Sequence, residues 1–259
     1  MSLNPRISSW KNRRIWIIGA SSGIGHALAS QLLQRGAQVA LSSRNAGKLQ
    51  AMAGIWPQKT LVLPFDIRDK ASWQKAYASL QKNWNSLDHL ILCAADYAPV
   101  RADSITAENV RSMVDTNVIG VMSGVATVMP DFLKAGNGAA ISVIASVAGY
   151  TGLPKALVYG PTKAALINFT ESLYLDVHPQ GLAVHLINPG FVDTPLTRQN
   201  DFRMPALITP ETAALRILAG MEKGHFEIHF PRRFTLWLKL LRQLPYWLRF
   251  HLLRNMGHP

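Results

Sequence analysis

The sequence has few cysteines, few charged residues and few acids. Its 259 residues include a single cysteine, Cys93, which excludes a disulfide framework and any multi-cysteine zinc or iron–sulfur site. Charged residues make up 16%, against ~25% in an average protein. The 15 acidic residues face 27 basic ones, so the formal net charge is +12. Such a charge is typical of proteins that meet an anionic ligand, a membrane surface or nucleic acid, and it carries no information about the fold.

Long hydrophobic runs and metal-binding motifs are also missing. The apolar run before Gly19 is shorter than the ~7–15 residues that a secretory signal needs, and no stretch reaches the ~18 uncharged apolar residues of a spanning helix. We therefore expect a cytoplasmic protein. The eight histidines include no H-E-x-x-H pattern, and His225 and His229 lie in a segment that alternates like a strand. We expect no metal site.

Two patterns alternate regularly along the chain, in which 48% of the residues are hydrophobic. Short β-branched apolar runs predict buried strands at Ile15–Ile18, Val39–Ser42, Leu61–Phe65, Leu90–Cys93, Ala139–Ile144 and Val184–Asn188. Longer segments between them predict helices at Ile24–Arg35, Lys70–Asn83, Ala107–Leu133, Thr162–Val177 and Pro210–Met221. This order predicts an α/β fold with a doubly wound parallel sheet of the Rossmann type. We expect a single domain over residues 10–230 and a C-terminal amphipathic helical tail over 231–259.

A glycine-rich turn follows the first predicted strand and reads G-x-x-x-G-x-G. Glycines let the backbone turn sharply and let a helix N-terminus approach a pyrophosphate. A tight turn that binds nothing is the alternative, but the place between the first strand and the first helix is the context that dinucleotide binding requires. The turn therefore predicts a dinucleotide site that includes Gly19, Ser21, Ser22, Gly23, Ile24 and Gly25.

The end of the second predicted strand indicates which dinucleotide binds. An NAD site needs an acid about 20 residues after the glycines, which accepts the ribose 2′-hydroxyl. This strand ends in Ser43 and Arg44 instead, with no acid. The planar guanidinium of Arg44 can pair with a 2′-phosphate, and Ser43 can donate a hydrogen bond to it. An ordinary surface arginine is the alternative; the missing acid favours NADP(H) over NAD(H).

A phenol and an ammonium are spaced for chemistry further along the chain. Tyr159 and Lys163 are four residues apart, which places them on one face at the start of a helix. Ser146 lies 13 residues before Tyr159, at the carboxyl end of a predicted strand, where open α/β sheets bind ligands. Asn117 lies inside a helical pattern, where asparagine has a poor propensity.

These motifs together resemble the short-chain dehydrogenase/reductase family over about residues 12–230. The resemblance implies that Asn117, Ser146, Tyr159 and Lys163 are the catalytic set, and that Tyr159 and Lys163 also contact the cofactor. It further implies cofactor contacts from Asp66, Ile67, Ala94, Pro189, Gly190, Val192 and Thr194. In such a site Lys163 and the positive nicotinamide would lower the pKa of the Tyr159 phenol, which exchanges a proton with the substrate oxygen while Ser146 holds that oxygen. Asn117 resembles the relay residue that holds a water beside the lysine.

The chain departs from the family pattern at two places. Ile18 stands where the family has threonine, and Leu92-Cys93-Ala94-Ala95 stands where it has Asn-Asn-Ala-Gly. Those asparagines tie strand ends together near the adenosine, so their replacement affects local rigidity and cofactor affinity rather than the chemistry. No activating base is adjacent to Cys93 in sequence, so it is interpreted as a small buried residue rather than a nucleophile.

The predicted function is an NADP(H)-dependent oxidoreductase that interconverts a carbonyl and a secondary alcohol. The alternatives are a regulatory protein of the same fold that binds nucleotide without turnover, and a peripheral membrane protein. The segment from Thr194 to Thr209 is the expected lid, and its Leu, Phe and Met residues favour a partly apolar substrate. Two predicted helices, Ala107–Leu133 and Thr162–Val177, are apolar on more than one face. In the family these helices form the subunit interface, so we expect a homodimer or homotetramer.

The tail is basic and amphipathic. Residues 225–259 hold six Lys or Arg residues and one acid, Glu227. A helical spacing places Phe234, Trp237, Leu238, Leu241 and Leu244 on one face, before Pro245 interrupts the run. Packing on this subunit or on a partner subunit is one interpretation. A helix that lies in an anionic membrane surface, at the inner face of a membrane, is the other. No recognition motif accompanies the charge, so no nucleic-acid partner is expected.

Overall fold

The computed structural model describes residues 2–136, 138–202 and 204–254. A seven-stranded parallel sheet forms its centre. The strands are β1 (Arg14–Ile18), β2 (Gln38–Ser42), β3 (Thr60–Val62), β4 (His89–Leu92), β5 (Ala140–Ile144), β6 (Ala183–Pro189) and β7 (Glu227–Phe230). Their order in the sheet is β3-β2-β1-β4-β5-β6-β7. The order reverses direction between β1 and β4, and the crevice at such a switch point is where open α/β sheets bind ligands.

Helices cover both faces of the sheet. They are α1 (Gly23–Gln34), α2 (Ala46–Ile55), α3 (Lys70–Trp84), α4 (Ala107–Val114), α5 (Gly120–Ala135), α6 (Tyr159–Val177), α7 (Pro210–Glu222), α8 (Arg232–Gln243) and α9 (Tyr246–Leu253). One core, with Trp16 and Trp73, lies on one face, and a second, with Leu28 and Leu32, lies on the other. The predicted doubly wound α/β fold of the Rossmann type is confirmed.

The third strand is shorter than predicted. The sequence pattern placed it at Leu61–Phe65, but β3 ends at Val62. Pro64 has no N–H to donate, which interrupts the ladder. The backbone N–H groups of Leu63 and Phe65, on either side of Pro64, still donate to the carbonyls of Leu41 and Ser43 at 3.0 and 3.1 Å.

Three helix predictions need correction. Helix α2 was not predicted, although Asn45 caps it by accepting a hydrogen bond from the Lys48 N–H at 3.0 Å. Helix α6 begins at Tyr159 rather than at Thr162, because a proline in the first helical turn breaks no intrahelical bond. The predicted helix Ala107–Leu133 is interrupted by a single π-helical turn, Asp115–Ile119.

The run Ala107–Ala135 is long and apolar enough, by length and composition alone, to cross a membrane. Its second half packs instead on the sheet, where Val121, Val125, Val128 and Phe132 are buried in the core. A core helix of an α/β domain passes the same test of length and composition, and the buried side chains identify the run as such a helix.

The segment before β1 packs against the end of the sheet. Ile7 and Trp10 are buried in the second core, and Trp10 Nε1 donates to Glu222 at 2.7 Å. The Asn4 amide nitrogen donates to the Val184 carbonyl at 2.7 Å, and its oxygen accepts from the Val184 N–H at 3.1 Å. A side chain therefore satisfies both backbone polar groups of one residue in β6.

A buried histidine pair lies within the sheet. His89 Nε2 lies 2.7 Å from the Ser142 hydroxyl, and His185 Nδ1 donates to the His225 carbonyl at 2.7 Å. The two imidazole centroids are 5.9 Å apart. Burial lowers the pKa of His89 well below its usual value and the pKa of His185 to about 4, so both rings are neutral at pH 7.

The tail forms the two helices α8 and α9, and one side of it is packed on the subunit. Leu238, Leu241 and Leu253 are buried in the first core, and the Lys239 ammonium pairs with Glu227. Trp237, which the helical spacing placed on the buried face, is 40% exposed. The last five residues of the predicted tail, 255–259, lie outside the described residues.

Candidate active site

A cleft of about 840 Å³ opens at the carboxyl ends of the strands. The sequence-predicted residues that line it are Gly19, Ser21, Ser22, Gly23, Ile24, Ser43, Arg44, Asp66, Ile67, Ala94, Ser146, Tyr159, Lys163, Pro189, Gly190, Val192 and Thr194. Gly25 and Asn117 lie behind this lining. The structure therefore brings together side chains that are more than 170 positions apart in the sequence.

The glycine turn leaves no room for side chains. A Cβ atom on Gly19, whose φ is +93°, would lie 2.6 Å from the Ala94 nitrogen. One on Gly25 would lie 2.2 Å from the Gly19 carbonyl oxygen, and one on Gly23 would lie 2.9 Å from Thr194 Cγ2. Any larger residue at these positions would force the turn between the end of β1 and the start of α1 to change its shape.

The N-terminus of α1 is electrostatically suited to an anion. No acidic residue occupies its first turn, and the Ser22 side chain makes no capping hydrogen bond. The first N–H groups of a helix have no intrahelical partner, and the helix dipole adds partial positive charge there. The turn and the helix together form a cradle that fits the pyrophosphate of a dinucleotide.

A basic corner lies where β2 meets α2. Arg44 is exposed, and Ser43 Oγ accepts from the Asn45 N–H at 3.1 Å. The N-terminus of α2 begins at the next residue, Ala46, which also lines the cleft. No carboxylate follows β2 in this turn. The corner therefore presents a guanidinium, a hydroxyl and a helix N-terminus.

Asp66 lies beside this corner, after β3, where the Phe65 N–H donates to the Ser43 carbonyl. The Arg68 guanidinium holds its carboxylate in a two-pronged pair, with Nε at 3.0 Å from Oδ1 and Nη2 at 2.6 Å from Oδ2. This contact lowers the pKa of Asp66, so the carboxylate is ionised and can accept further hydrogen bonds.

Tyr159, Lys163 and Ser146 meet in the other half of the cleft. Tyr159 is the first residue of α6, and Lys163 follows one turn later, with its Nζ 5.4 Å from the centre of the Tyr159 ring. Lys163 Nζ also donates to the Ile144 carbonyl, at the end of β5, at 3.0 Å. The Ser146 hydroxyl accepts from the Ala148 N–H at 3.1 Å and lies near the Tyr159 hydroxyl.

Burial dominates the ionisation of this group. It raises the pKa of the Tyr159 phenol, which the nearby Ser146 hydroxyl partly offsets, and it lowers the pKa of the Lys163 ammonium to about 8. Lys163 and a bound nicotinamide together are predicted to lower the phenol pKa, whereas the protein's own groups raise it, with burial as the largest cause. The phenol of the protein alone therefore carries its proton at pH 7 and can donate it.

Asn117 lies in the π-helical turn between α4 and α5, and its side chain is buried. Its carbonyl oxygen accepts from the Asp96 N–H at 2.7 Å, and its nitrogen donates to the Asp96 carbonyl at 2.9 Å and to the Thr162 hydroxyl at 3.1 Å. Asn117 therefore ties the loop after β4 to the start of α6, behind Tyr159 and Lys163. The π-helical turn aims its side chain at these partners.

Sequence reasoning missed a second tyrosine beside the first. The Tyr97 ring meets the Tyr159 ring edge-on, with centroids 4.9 Å apart, and the Tyr97 hydroxyl is hydrogen-bonded to Asn200 in the expected lid. Burial raises the pKa of Tyr97 to about 12. An aromatic residue in the loop after the fourth strand was the only sequence signal for this contact.

The expected lid lies over the cleft as predicted along Pro195, Leu196 and Thr197, which line it. Further along, the Phe202 ring packs on Phe191 with centroids 5.8 Å apart, and Asp201 pairs with Lys155 at 2.5 Å. Arg203, also in the expected lid, lies outside the described residues.

Further lining residues were not predicted as contacts. They are Ile18, Asn45, Ala46, Phe65, Cys93, Ala95, Thr116, Ile144, Ala145, Pro195, Leu196 and Thr197. Each lies within three positions of a predicted residue, so the motifs identified the correct loops. Burial raises the pKa of the Cys93 thiol to about 11, which leaves it protonated and a poor nucleophile.

Comparisons with known proteins point to one family. The family model described as "short chain dehydrogenase" matches residues 13–203. A protein of Myxococcus xanthus described as an uncharacterized oxidoreductase is 30% identical over 239 residues, which cover 90% of this chain and 93% of the relative. Another uncharacterized oxidoreductase, from Staphylococcus aureus, is 32% identical over 215 residues, which cover 82% of this chain and 93% of that relative.

Two solved structures share the fold. A short-chain dehydrogenase/reductase from Burkholderia phymatum in complex with NAD superposes with a TM-score of 0.84 at 20% identity, over 98% of this chain and 99% of its own. A short-chain dehydrogenase from Burkholderia cenocepacia in complex with NADP superposes with a TM-score of 0.82 at 22% identity, over 95% and 99%. One relative of this fold therefore holds NAD and another holds NADP.

Proposed function

The chain belongs to the short-chain dehydrogenase/reductase family, and from this premise we propose that it is an NADP(H)-dependent oxidoreductase that interconverts a carbonyl and a secondary alcohol. The observation that carries the proposal is the contact between Ser146, Tyr159 and Lys163 inside the cleft that the glycine turn begins. A protein that only bound nucleotide would have no need of this set.

The proton moves through Tyr159. In the reducing direction, its protonated phenol donates to the substrate oxygen as that oxygen gains negative charge, and in the reverse direction the phenolate removes the proton of the alcohol. The Ser146 hydroxyl, which lies near the phenol, holds the same oxygen in place. When bound, the cofactor supplies or accepts the hydride that balances this proton.

Lys163 and Asn117 keep the phenol in position. The Lys163 ammonium, fixed by the Ile144 carbonyl, lies beside the phenol, where it favours the phenolate formed in the reducing direction, and it can donate to the cofactor's ribose. Asn117 holds Thr162, between Tyr159 and Lys163 in the chain, and so fixes the first turn of α6. We assign Asn117 this positioning role.

The cradle and the basic corner support NADP(H) as the cofactor. A Cβ atom on Gly19, Gly23 or Gly25 would clash with neighbouring protein atoms, so these glycines allow the sharp turn that brings the N-terminus of α1 to the cleft, where it suits a pyrophosphate. The relatives of this fold hold either dinucleotide, so the preference depends on this chain's own residues. Arg44 and Ser43, with no acid after β2, favour the additional phosphate of NADP(H).

A substrate screen tests the proposal directly. The purified protein is mixed with NADPH and a panel of aldehydes and ketones, and with NADP⁺ and a panel of secondary alcohols, while absorbance of the reduced nicotinamide is followed. We expect turnover with partly apolar members, because Leu196 of the expected lid lines the cleft. Binding of the cofactor with no turnover on any member would favour a regulatory nucleotide-binding protein instead.

The subunit arrangement belongs to the same proposal. Ile119, Leu133 and Leu175 are large apolar side chains that remain exposed on α5, α6 and the π-helical turn before α5. Exposed apolar residues on neighbouring helices are typical of a subunit interface, and a two-fold axis would pair them with their copies. We propose a homodimer or homotetramer.

A cytoplasmic location fits the single free cysteine.

A further inference from the structure

The outer side of the tail carries an apolar surface that the rest of the subunit does not cover. On α8, Leu236, Trp237 and Leu240 are 53%, 40% and 64% exposed. The spacing of these three residues places them on one stripe, with Trp237 at its border with the buried Leu238 and Leu241. On α9, Tyr246, Trp247 and Phe250 are 68%, 74% and 58% exposed. We name these six side chains the C-terminal face.

The two helices that carry the C-terminal face contain basic residues and no acid. Glu227 is the last acidic residue of the sequence. Lys239 pairs with it, whereas Arg232, Arg233, Arg242, Arg249 and Arg254 have no carboxylate partner within the part of the chain that the structure describes. The Arg249 guanidinium lies 4.4 Å from the centre of the Tyr246 ring. Apolar aromatic groups and unpaired cations therefore alternate over one surface.

A basic groove continues this surface past the start of α8. It has a volume of about 580 Å³, and its lining includes the cations Arg216, Lys223, Arg232 and Arg233 and one acid, Glu227, which is paired with Lys239. Arg233 also lies on the exposed stripe of α8, three and four residues before Leu236 and Trp237, so the groove and the stripe are continuous. Burial lowers the pKa of His225 most, and the nearby positive charges of Lys223 and Arg232 lower it further.

We propose that the C-terminal face and this groove dock the protein on an anionic phospholipid membrane. Trp, Tyr, Phe and Leu side chains would enter the boundary between headgroups and acyl chains, and the arginines would contact headgroup phosphates. A second copy of the chain fits less well, because a two-fold axis through this face would bring its arginines against their own copies. The complementary charge therefore favours an anionic surface as the occupant.

Vesicle sedimentation of the full-length protein tests the proposal. We expect it to sediment with vesicles of phosphatidylcholine mixed with phosphatidylglycerol, to remain in solution with phosphatidylcholine alone, and to be released by high salt. The double variant Leu240→Glu/Trp247→Glu should lower vesicle binding at least tenfold, since two exposed apolar side chains no longer enter the membrane. Arg233→Gln should lower it about fivefold, the usual effect of one basic residue near an anionic surface.

Matched control variants separate this surface from unspecific effects. Ile55→Glu changes an equally exposed apolar residue on α2, 73% exposed, and Lys82→Gln removes an exposed cation on α3. Both should bind vesicles as the wild type does, and all variants should keep the wild-type melting temperature. The proposal is overturned if anionic vesicles do not bind the wild type, or if the controls lose binding equally. It is also overturned if Leu240→Glu/Trp247→Glu leaves vesicle binding intact but dissociates an oligomer in light scattering.

Discussion

At the scale of single residues, the phenol of Tyr159 is the group on which the proposed reaction depends. Tyr159→Phe removes the proton donor while it keeps the ring that packs on Tyr97, so turnover should fall by a factor of about 10²–10⁴. Cofactor affinity should change little, because the ring remains. Steady-state rates and fluorescence titration with NADPH measure the two effects separately. Full turnover in this variant would place the proton donor elsewhere.

Lys163 should behave differently from Tyr159 because its ammonium serves two partners. Lys163→Ala removes the buried cation beside the phenol and the donor to the cofactor's ribose. Both turnover and NADPH affinity should therefore fall, and the titration used for Tyr159→Phe measures the second loss. Unchanged NADPH affinity in Lys163→Ala would show that the ammonium acts on the phenol alone.

Arg44 determines the choice of cofactor in the proposed site. Arg44→Ala removes the guanidinium that would pair with the 2′-phosphate, a charge-assisted contact that contributes about 1.5–3 kcal/mol. NADPH affinity should therefore fall by about tenfold or more, whereas NADH affinity, which involves no such phosphate, should stay the same and is the internal control. Equal affinities of the wild-type protein for NADPH and NADH would contradict the assignment of the basic corner.

At the scale of elements, the glycine turn offers a matched pair of substitutions. Gly25→Ala would force a Cβ atom to 2.2 Å from the Gly19 carbonyl, so the turn must distort and cofactor affinity should fall more than tenfold. Gly54→Ala makes the same change inside α2, where nothing lies within 4 Å, and should raise stability by about 0.5–1 kcal/mol. Thermal unfolding and NADPH titration compare the two variants. Equal cofactor affinity in both would show that the cradle tolerates a side chain.

The buried histidine pair makes the sheet sensitive to acid. In the unfolded chain His185 takes up a proton below about pH 6.5, whereas in the folded protein its pKa is about 4, so folding is opposed by protonation. The free energy of unfolding should therefore fall as the pH decreases from 6.5 towards 4, by up to roughly 3 kcal/mol from this residue.

The variant His185→Asn isolates this contribution. It keeps a donor for the His225 carbonyl but cannot be protonated, so its stability should fall less over the same pH range. Urea unfolding at pH 7 and pH 5 measures the difference, with the exposed His251→Asn as a control that should follow the wild type. The same pH dependence in His185→Asn and the wild type would assign the acid sensitivity to other groups.

Sequence patterns predicted the elements that have a regular or continuous apolar pattern, and missed those that depend on local backbone detail. The six predicted strands are all present because strands covered on both faces must be apolar throughout. Helix α2 escaped notice because Gly47 and Gly54 interrupt its pattern and only Leu49 and Met52 are buried. The π-helical turn has no pattern of its own, since one additional residue per turn leaves the apolar spacing almost unchanged.

The candidate site was predictable for a related reason. Its contacts come from short loops at strand ends, where glycine, tyrosine and lysine are chemically required. The Tyr97–Asn200 contact was not predictable, because the two residues are 103 positions apart and lie in loops without regular spacing. Likewise the pKa of Tyr159 depends on burial, which the sequence around it does not reveal.

At the scale of the whole molecule, the number of subunits is the most direct test of the exposed helix surfaces. Light scattering should give a multiple of the 28.6 kDa monomer, with a two-fold related pair as the smallest unit. Leu175→Glu, which places a charge at a 72% exposed position on α6, should shift the protein towards monomers, whereas Ile55→Glu on α2 should not. A monomer in the wild type at micromolar concentration would rule out the proposed assembly.

The tail connects the proposed chemistry with the proposed docking surface. Phe234, at the start of α8, lies against Gly190 of the cleft lining and 5.8 Å from the Phe191 ring. The C-terminal face therefore begins about one helical turn from the wall of the cleft. The sequence showed that the tail is amphipathic, but both of its sides carry leucines, so only the packed structure shows which side meets the core.

The amide of Asn4 covers a part of β6 to which a strand of another copy of the protein would otherwise have access. Strand β7 pairs with β6 only from Leu186 onward, so the backbone N–H and carbonyl of Val184 would otherwise form a short open edge. Such an edge is a template to which a strand of another chain can add, the first step of intermolecular β-aggregation. Asn4 occupies both of its hydrogen-bonding groups with a side chain that cannot be extended into a strand. The segment ahead of the first strand thus closes one place on β6 to which a strand of another chain would otherwise have access.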